Sequence, residues 1–341
     1  MKPIRKNAAI AIDGGGIRGV IAAKALTMLE AELGKPVHTV FRLCAGTSTG
    51  SILAAGIASG ADTEALLKLY VDLGPRLFRK SLLSRLWPLR GYRYSRAPLA
   101  NQFGGMVEEK TLGELWKSDP PMALITTTYD LVSDRTRFVK SWKPEYHAWT
   151  ILKAVLASSA APTYFPVLDG RFTDGGVGSY NNPCFLAAYE LTHYLGWDPK
   201  ETTLISLGTG HTPERVKVGE PNRYTAFSWL PRIIEMRAQD ASDQQVNLVS
   251  TMFPALDFRR FQVDLKEPIA VDDFKKIPEL LEYGEQMGAN LLNDQTDGAA
   301  TLLPLRPVKE STSRRQTSKS GTLRGSRSDT RRGSSRGPRT R

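Results

Sequence analysis

A chain of 341 residues, 41% apolar and 24% charged, can bury a substantial core and has the composition of a globular protein of one large domain or two small ones. Two cysteines, Cys44 and Cys184, exclude a disulfide framework and a cysteine-built metal site. With no signal-type apolar core near the start and no apolar run of about 18 residues, the expectation is a cytoplasmic protein without a membrane span. The net charge of +11 is unevenly placed, because from Lys309 to Arg341 eleven Lys or Arg stand against only Glu310 and Asp329. The body is therefore nearly neutral, and the Ser-, Arg- and Gly-rich end has almost nothing to bury. The expected organisation is one domain over residues 1–307 and a disordered basic tail over 308–341.

In chain order, "NAAIAI" reads as a buried strand and "VIAAKALTMLEAELG" as a helix stopped by Gly34, joined by the glycine turn "DGGG". A second strand is predicted from "VFRLCAG", then the polar "TST", then a small-residue helix in "SILAAGIASG". Residues 77–94, "LFRKSLLSRLWPLRGYRY", mix Trp87, Leu82 and Leu83 with basic residues and no acid, and fit either an interfacial lid or a surface helix packed on the body. Further strands are predicted in "MALITTTYD", "TRFVKSW", "RFTDGG" and "TTLISLGTG". "WTILKAVLASSAAP" reads as a helix ended by Pro162, and "IPELLEYGEQMGANLLND" as a last helix. This alternation predicts an α/β domain around a mostly parallel sheet.

Gly14, Gly16 and Gly19 match G-x-G-x-x-G, the spacing of a dinucleotide-binding turn. That fold needs an acid at the end of the second strand for the ribose hydroxyls, and this strand carries Arg42 and no acid. The second strand instead ends in "GTSTG", where Gly46, Ser48 and Gly50 fit the nucleophile elbow G-x-S-x-G, a sharp strand-to-helix turn that lifts the serine above the sheet. If the first two strands are parallel neighbours, the N–H groups of Gly14, Gly15 and Gly16 reach the carbonyl that Ser48 attacks, and Arg18 adds positive charge. Two bases compete. Asp174, in the "DGG" of Asp174, Gly175 and Gly176, can act directly on the serine. Alternatively His211 completes a Ser48, Asp174, His211 triad of a small-ester or thioester hydrolase. His38, His147 and His193 read as structural or solvated.

The ordered series "DGGGIRG", "GTSTG", "ASSAAPTYFP" and "DGG", followed by "SLGTG", resembles the patatin-like phospholipases over about residues 7–300. The resemblance implies a three-layer α/β/α patatin-like fold, a Ser48–Asp174 dyad with an oxyanion loop of Gly14, Gly15, Gly16 and Arg18, and phospholipase A-type hydrolysis of fatty-acyl esters of membrane glycerolipids. It implies no metal and no cofactor. Ser51 stands where many members carry a second glycine. The implied partner is a phospholipid or galactolipid surface to which the protein is peripheral. The basic tail favours an anionic one and leaves nucleic acid as a second partner by the same counterion release. Some bacterial members are effectors of antiphage defence switched on by cyclic nucleotides, a role open to this chain.

Overall fold

The computed structural model describes residues 1–79, 91–212 and 219–297, with backbone alone over 226–238. Residues 80–90 of the basic aromatic stretch and the whole basic tail lie outside the described residues. The centre of the sheet is Asn7–Ile12 (β1), buried beyond Asn7 and paired in parallel with Leu43–Thr47 (β2) on one side and Thr202–Leu207 (β6) on the other. A strand flanked by parallel neighbours under helices on both faces has no polar side, which explains the continuous apolar run. Beyond β2 lies Ala123–Asp130 (β3), also parallel, and beyond β6 lies Asp257–Phe261 (β7). Arg135–Lys140 (β4) and the short Phe172–Asp174 (β5) both pair antiparallel with β3. The order is β4-β3-β2-β1-β6-β7, with β5 joined to β3.

Side chains alternate across this sheet, so two cores form. Ile10 and Ile12 of β1 face a core shared with Gly19–Leu33 (α1), Thr49–Ser59 (α2), Thr63–Leu77 (α3), Ala97–Val107 (α4), Leu112–Trp116 (α5), Ile151–Ser158 (α6) and Ile277–Leu292 (α9). Ala9 and Ala11 face the opposite core, built with Cys184–His193 (α7) and Val246 and Val249 of Ala226–Met252 (α8). The result is the expected α/β/α sandwich around a mostly parallel sheet. No helix among the described residues is long and apolar enough to cross a membrane.

Two predicted boundaries move. β2 begins at Leu43, because Val40 keeps helical backbone after the 3-10 turn Val37–Thr39 and the Phe41 N–H donates back to the Val37 carbonyl at 2.9 Å. α6 ends at Ser158, four residues before Pro162. The carbonyl of Ala160 is needed elsewhere: it accepts the Asp174 N–H at 3.1 Å and the Thr173 hydroxyl at 2.7 Å, which ties the end of α6 to β5.

Candidate active site

β1 and β2 run in register, Ile12 opposite Gly46, so the glycine turn after β1 and the serine turn after β2 emerge at one edge of the sheet. Ser48 sits between β2 and α2 at φ 53° and ψ −121°. A non-glycine residue held there costs about 1–3 kcal/mol, which the surrounding packing must sustain. The flanking glycines are a matter of clearance. A side chain at Gly46 would strike the Gly50 carbonyl, and one at Gly50 would strike the Ile12 carbonyl of β1. The elbow is closed by hydrogen bonds: the Ser48 N–H donates to Ser158 Oγ at 2.9 Å, and the Ser51 hydroxyl donates to the Ser48 carbonyl at 2.6 Å. Ser51 thus adds a tie within the turn that a glycine at this position lacks.

Asp174 ends β5 opposite Thr128 of β3, one residue beyond the Thr47–Thr127 pair, which brings it level with Ser48. The Ser48 hydroxyl lies near enough to lower the pKa of its carboxyl, and the Gly176 N–H donates to Oδ1 at 2.7 Å. Burial pushes the Asp174 carboxyl up from its ordinary 3.8 to about 6, against the lowering effect of these two groups. A carboxylate short of water and short of donors is a stronger base than one in solvent. Gly175 backs onto Thr127, where any side chain would collide.

The three glycines of the first turn are not equivalent. The Gly14 N–H donates to the Asn181 carbonyl at 3.0 Å, so it is not free to receive an oxyanion, contrary to the sequence expectation. Its carbonyl accepts from the Thr209 hydroxyl at 2.7 Å and from Asn181 Nδ2 at 3.3 Å. A trans peptide sends its C=O and N–H to opposite sides, so anchoring the Gly14 carbonyl turns the Gly15 N–H away from Thr209. The next peptide is fixed in the same way, because the Gly15 carbonyl accepts the Arg18 N–H at 3.2 Å and lies 3.5 Å from Arg18 Nε. The N–H groups of Gly15 and Gly16 donate to no protein acceptor among the described residues, and both residues are partly exposed. Gly16 takes a left-handed φ of 59° against Val271, while the buried Gly19 starts α1 against Thr49 and Tyr70.

Beneath this loop Asp13 and Arg260 form a buried pair, with Arg260 donating to both carboxylate oxygens at 2.9 and 2.6 Å and to Ser206 Oγ at 2.9 Å. Asp13, Ser158, Asn181, Thr209 and Arg260 are therefore supports that the sequence reading did not assign. Asp13, Ser158 and Thr209 had a signal, since they lie within "DGGGIRG", "ASSAAPTYFP" and "SLGTG"; Asn181 and Arg260 had none. Thr209→Val is expected to lower kcat by about tenfold with little change in KM, since it releases one peptide of the loop without touching the serine. Steady-state rates on a short-chain ester check this.

The structure does not bring His211 to the pair. It follows β6, on the side of β1 away from β2, where its backbone bridges to β7's extension and its Nδ1 lies 3.5 Å from Asp264. The Asp174 carboxylate accepts from the Gly176 N–H and is influenced by the Ser48 hydroxyl instead. His38 precedes β2 at the other end of the sheet, and His193 lies against Tyr189 at the end of α7.

The chain is similar to several known proteins. A family model for patatin-like phospholipase matches residues 10–188. A cGAMP-activated phospholipase of Pseudomonas aeruginosa is 28% identical over 305 residues, 85% of this chain and 87% of that protein. Patatin-17 of Solanum cardiophyllum is 27% identical over 83% of each chain. Among solved structures, VipD from Legionella pneumophila aligns with a TM-score of 0.44 and 12% identity, over 85% of this chain and 67% of that one. With the family model spanning more than half of its length and both turns of the sheet edge inside the match, the chain belongs to the patatin-like phospholipase family.

Proposed function

We propose that this lipid acyl hydrolase works through a Ser48–Asp174 dyad, cleaving fatty-acyl esters of membrane glycerolipids by a covalent acyl-serine route. Ser48 Oγ attacks the ester carbonyl while Asp174 takes the hydroxyl proton. The negative charge that develops on the carbonyl oxygen is met by the N–H groups of Gly15 and Gly16, with the N-terminus of α2 behind the serine adding a favourable dipole. Collapse of the intermediate breaks the ester C–O bond, and Asp174 returns its proton to the departing alcohol. Water then attacks the acyl-serine carbonyl, giving a proton to Asp174, and as the bond from that carbon to Ser48 Oγ breaks Asp174 passes the proton to Oγ, which releases the fatty acid and restores the free serine and the carboxylate.

The observation that carries this reading is the strand register that sets the elbow serine Ser48 level with Asp174, a buried carboxylate that burial pushes up to about 6. Such a group is ionised at neutral pH yet markedly more basic than an ordinary aspartate, which a direct serine–aspartate proton transfer requires. The relatives named as cGAMP-activated phospholipases support a further part of the proposal: the enzyme is a regulated bacterial effector switched on by a cyclic nucleotide. The basic tail favours an anionic membrane as its site of action.

Product mass spectrometry after incubation with mixed phospholipid vesicles, with and without cGAMP, tests both parts. Free fatty acid and lysophospholipid are expected, and neither should appear with Ser48→Ala. The triad alternative is tested in the same assay, where His211→Ala is expected to change the rate by less than about tenfold, the scale of a peripheral contact. A loss as large as that of a dyad variant would restore His211 as the base.

A further inference from the structure

The turn joining β3 to β4 carries an exposed Leu–Val pair where turns ordinarily carry Gly, Pro, Asn, Asp or Ser. Leu131 is 51% exposed and Val132 73% exposed, the largest exposure of any large apolar side chain among the described residues. This tip is held rigidly. Asp130 at its base is buried and accepts from the Val132 N–H at 3.1 Å and the Ser133 hydroxyl at 2.7 Å. The same carboxylate receives Arg171 on both oxygens at 2.8 and 2.7 Å and Arg137 Nε at 3.2 Å. These cations hold its carboxyl far below the usual carboxylate range, so it stays ionised and the tip stays fixed at any physiological pH. The Leu131 N–H also donates to the Arg171 carbonyl at 3.0 Å, so the tip is braced against the chain leading to Asp174.

Its position follows from the strand register. Thr127 and Thr128 of β3 lie level with Thr47 and Asp174, and β3 runs on past them to Asp130 before turning. At about 3.3 Å per residue the tip stands roughly 10 Å above the Ser48–Asp174 level, at the same sheet edge. Val177, 42% exposed, follows the Asp174 turn on the same side, with Gly178 backed against Thr136 of β4. Exposed apolar side chains on a tip pinned by buried charge, beside the mouth of a lipid-cleaving site, call for an apolar occupant. The side chains of Arg171 and Arg137 at its base stay 43% and 35% exposed, suited to lie among headgroup phosphates while the tip enters the acyl region.

We propose that the β3–β4 tip, Leu131 and Val132 with Val177 beside it, is the element that docks this enzyme on a phospholipid bilayer and sets the depth from which an ester reaches Ser48. The proposal rests on the lipid-hydrolase reading above, so its test separates the two. Sedimentation with vesicles of equal parts phosphatidylcholine and phosphatidylglycerol, performed in a Ser48→Ala background, reads docking without turnover. Leu131→Ser with Val132→Ser is expected to weaken this binding by about tenfold or more, as expected for withdrawing two aliphatic side chains from an apolar phase. In the active protein the same pair should lower the rate on vesicles at least fivefold relative to the rate on a soluble short-chain ester. Leu131→Ile with Val132→Ile should bind vesicles at least as well as the unaltered tip. Unchanged sedimentation of the serine double variant overturns the proposal, as does an equal fall in the vesicle and ester rates. A wild-type protein that sediments through the tip but releases no fatty acid would instead overturn the hydrolase reading and leave the docking surface standing.

Discussion

Ser48→Ala is expected to remove roughly 10⁴-fold or more of the turnover on phospholipid, the scale on which a nucleophile of a coupled catalytic unit fails. The loss is in the chemical step, because neither the loop of Gly15 and Gly16 nor the docking face depends on the hydroxyl. The fold should survive: Ser48 makes its ties to Ser158 and Ser51 through its backbone N–H and carbonyl, and alanine retains both. The same substitution has a second effect that a merely structural serine would not produce. The Ser48 hydroxyl is one of two groups that hold the Asp174 carboxyl down against burial, so without it that carboxyl should titrate above 6. A fluorophosphonate probe should label the wild type at Ser48 and leave the variant unlabelled, and carbon-13 titration of the aspartate carboxyls should show the upward shift. Labelling of the variant at another serine would sink the assignment.

The parts of this site legible in the sequence are those where a residue type is forced by space. Gly46 and Gly50 are required because backbone carbonyls pass where their side chains would be, and such clearance leaves a fixed spacing in the chain. The alternation of apolar strands and helices was legible for β1 and α2, which are buried almost throughout and therefore nearly all apolar or small, and for α1, whose apolar residues recur at helical spacing. β7 was not. Its "DFRRF" carries two arginines, which by composition mark a surface, yet Arg259 and Arg260 are only 3% and 5% exposed. Each is buried because an acid distant in sequence or across one residue answers it: Asp13 binds Arg260, and Asp257 binds Arg259 at 2.6 Å. Burial of that kind is a tertiary event with no local signature. The same holds for the oxyanion loop. That Gly14 loses its N–H to Asn181 while Thr209 orients the next peptide depends on two segments that arrive from 167 and 195 residues away. The sequence can name the loop, but only the packing decides which of its N–H groups remain to do chemistry.

Asp174→Asn is expected to abolish turnover nearly as fully as Ser48→Ala and, at the same time, to stabilise the fold at neutral pH. The amide keeps the shape, and its oxygen still accepts from Gly176, but it cannot take the serine proton. For stability the sign follows from the direction of the shift. The folded protein holds the Asp174 proton more tightly than the unfolded chain, about 6 against 3.8, so the ionised form is the one that folding disfavours. The cost is absent below the unfolded value, grows as pH rises from about 4 to 6, and levels off above, where about two pKa units correspond to about 3 kcal/mol. Asparagine mimics the neutral carboxyl and escapes that cost. Urea unfolding should therefore find the variant more stable than wild type by up to about 3 kcal/mol near pH 8 and indistinguishable from it near pH 4. In wild type the same titration controls chemistry in the opposite sense: kcat should fall about tenfold per pH unit below 6 and be flat above it, because only the carboxylate is a base. An enzyme that is active because it keeps a charge where the fold would rather have none should show both profiles, with a common break near pH 6. A pH–rate midpoint near 4, or an Asp174→Asn protein less stable than wild type at every pH, would remove Asp174 from the role of buried base.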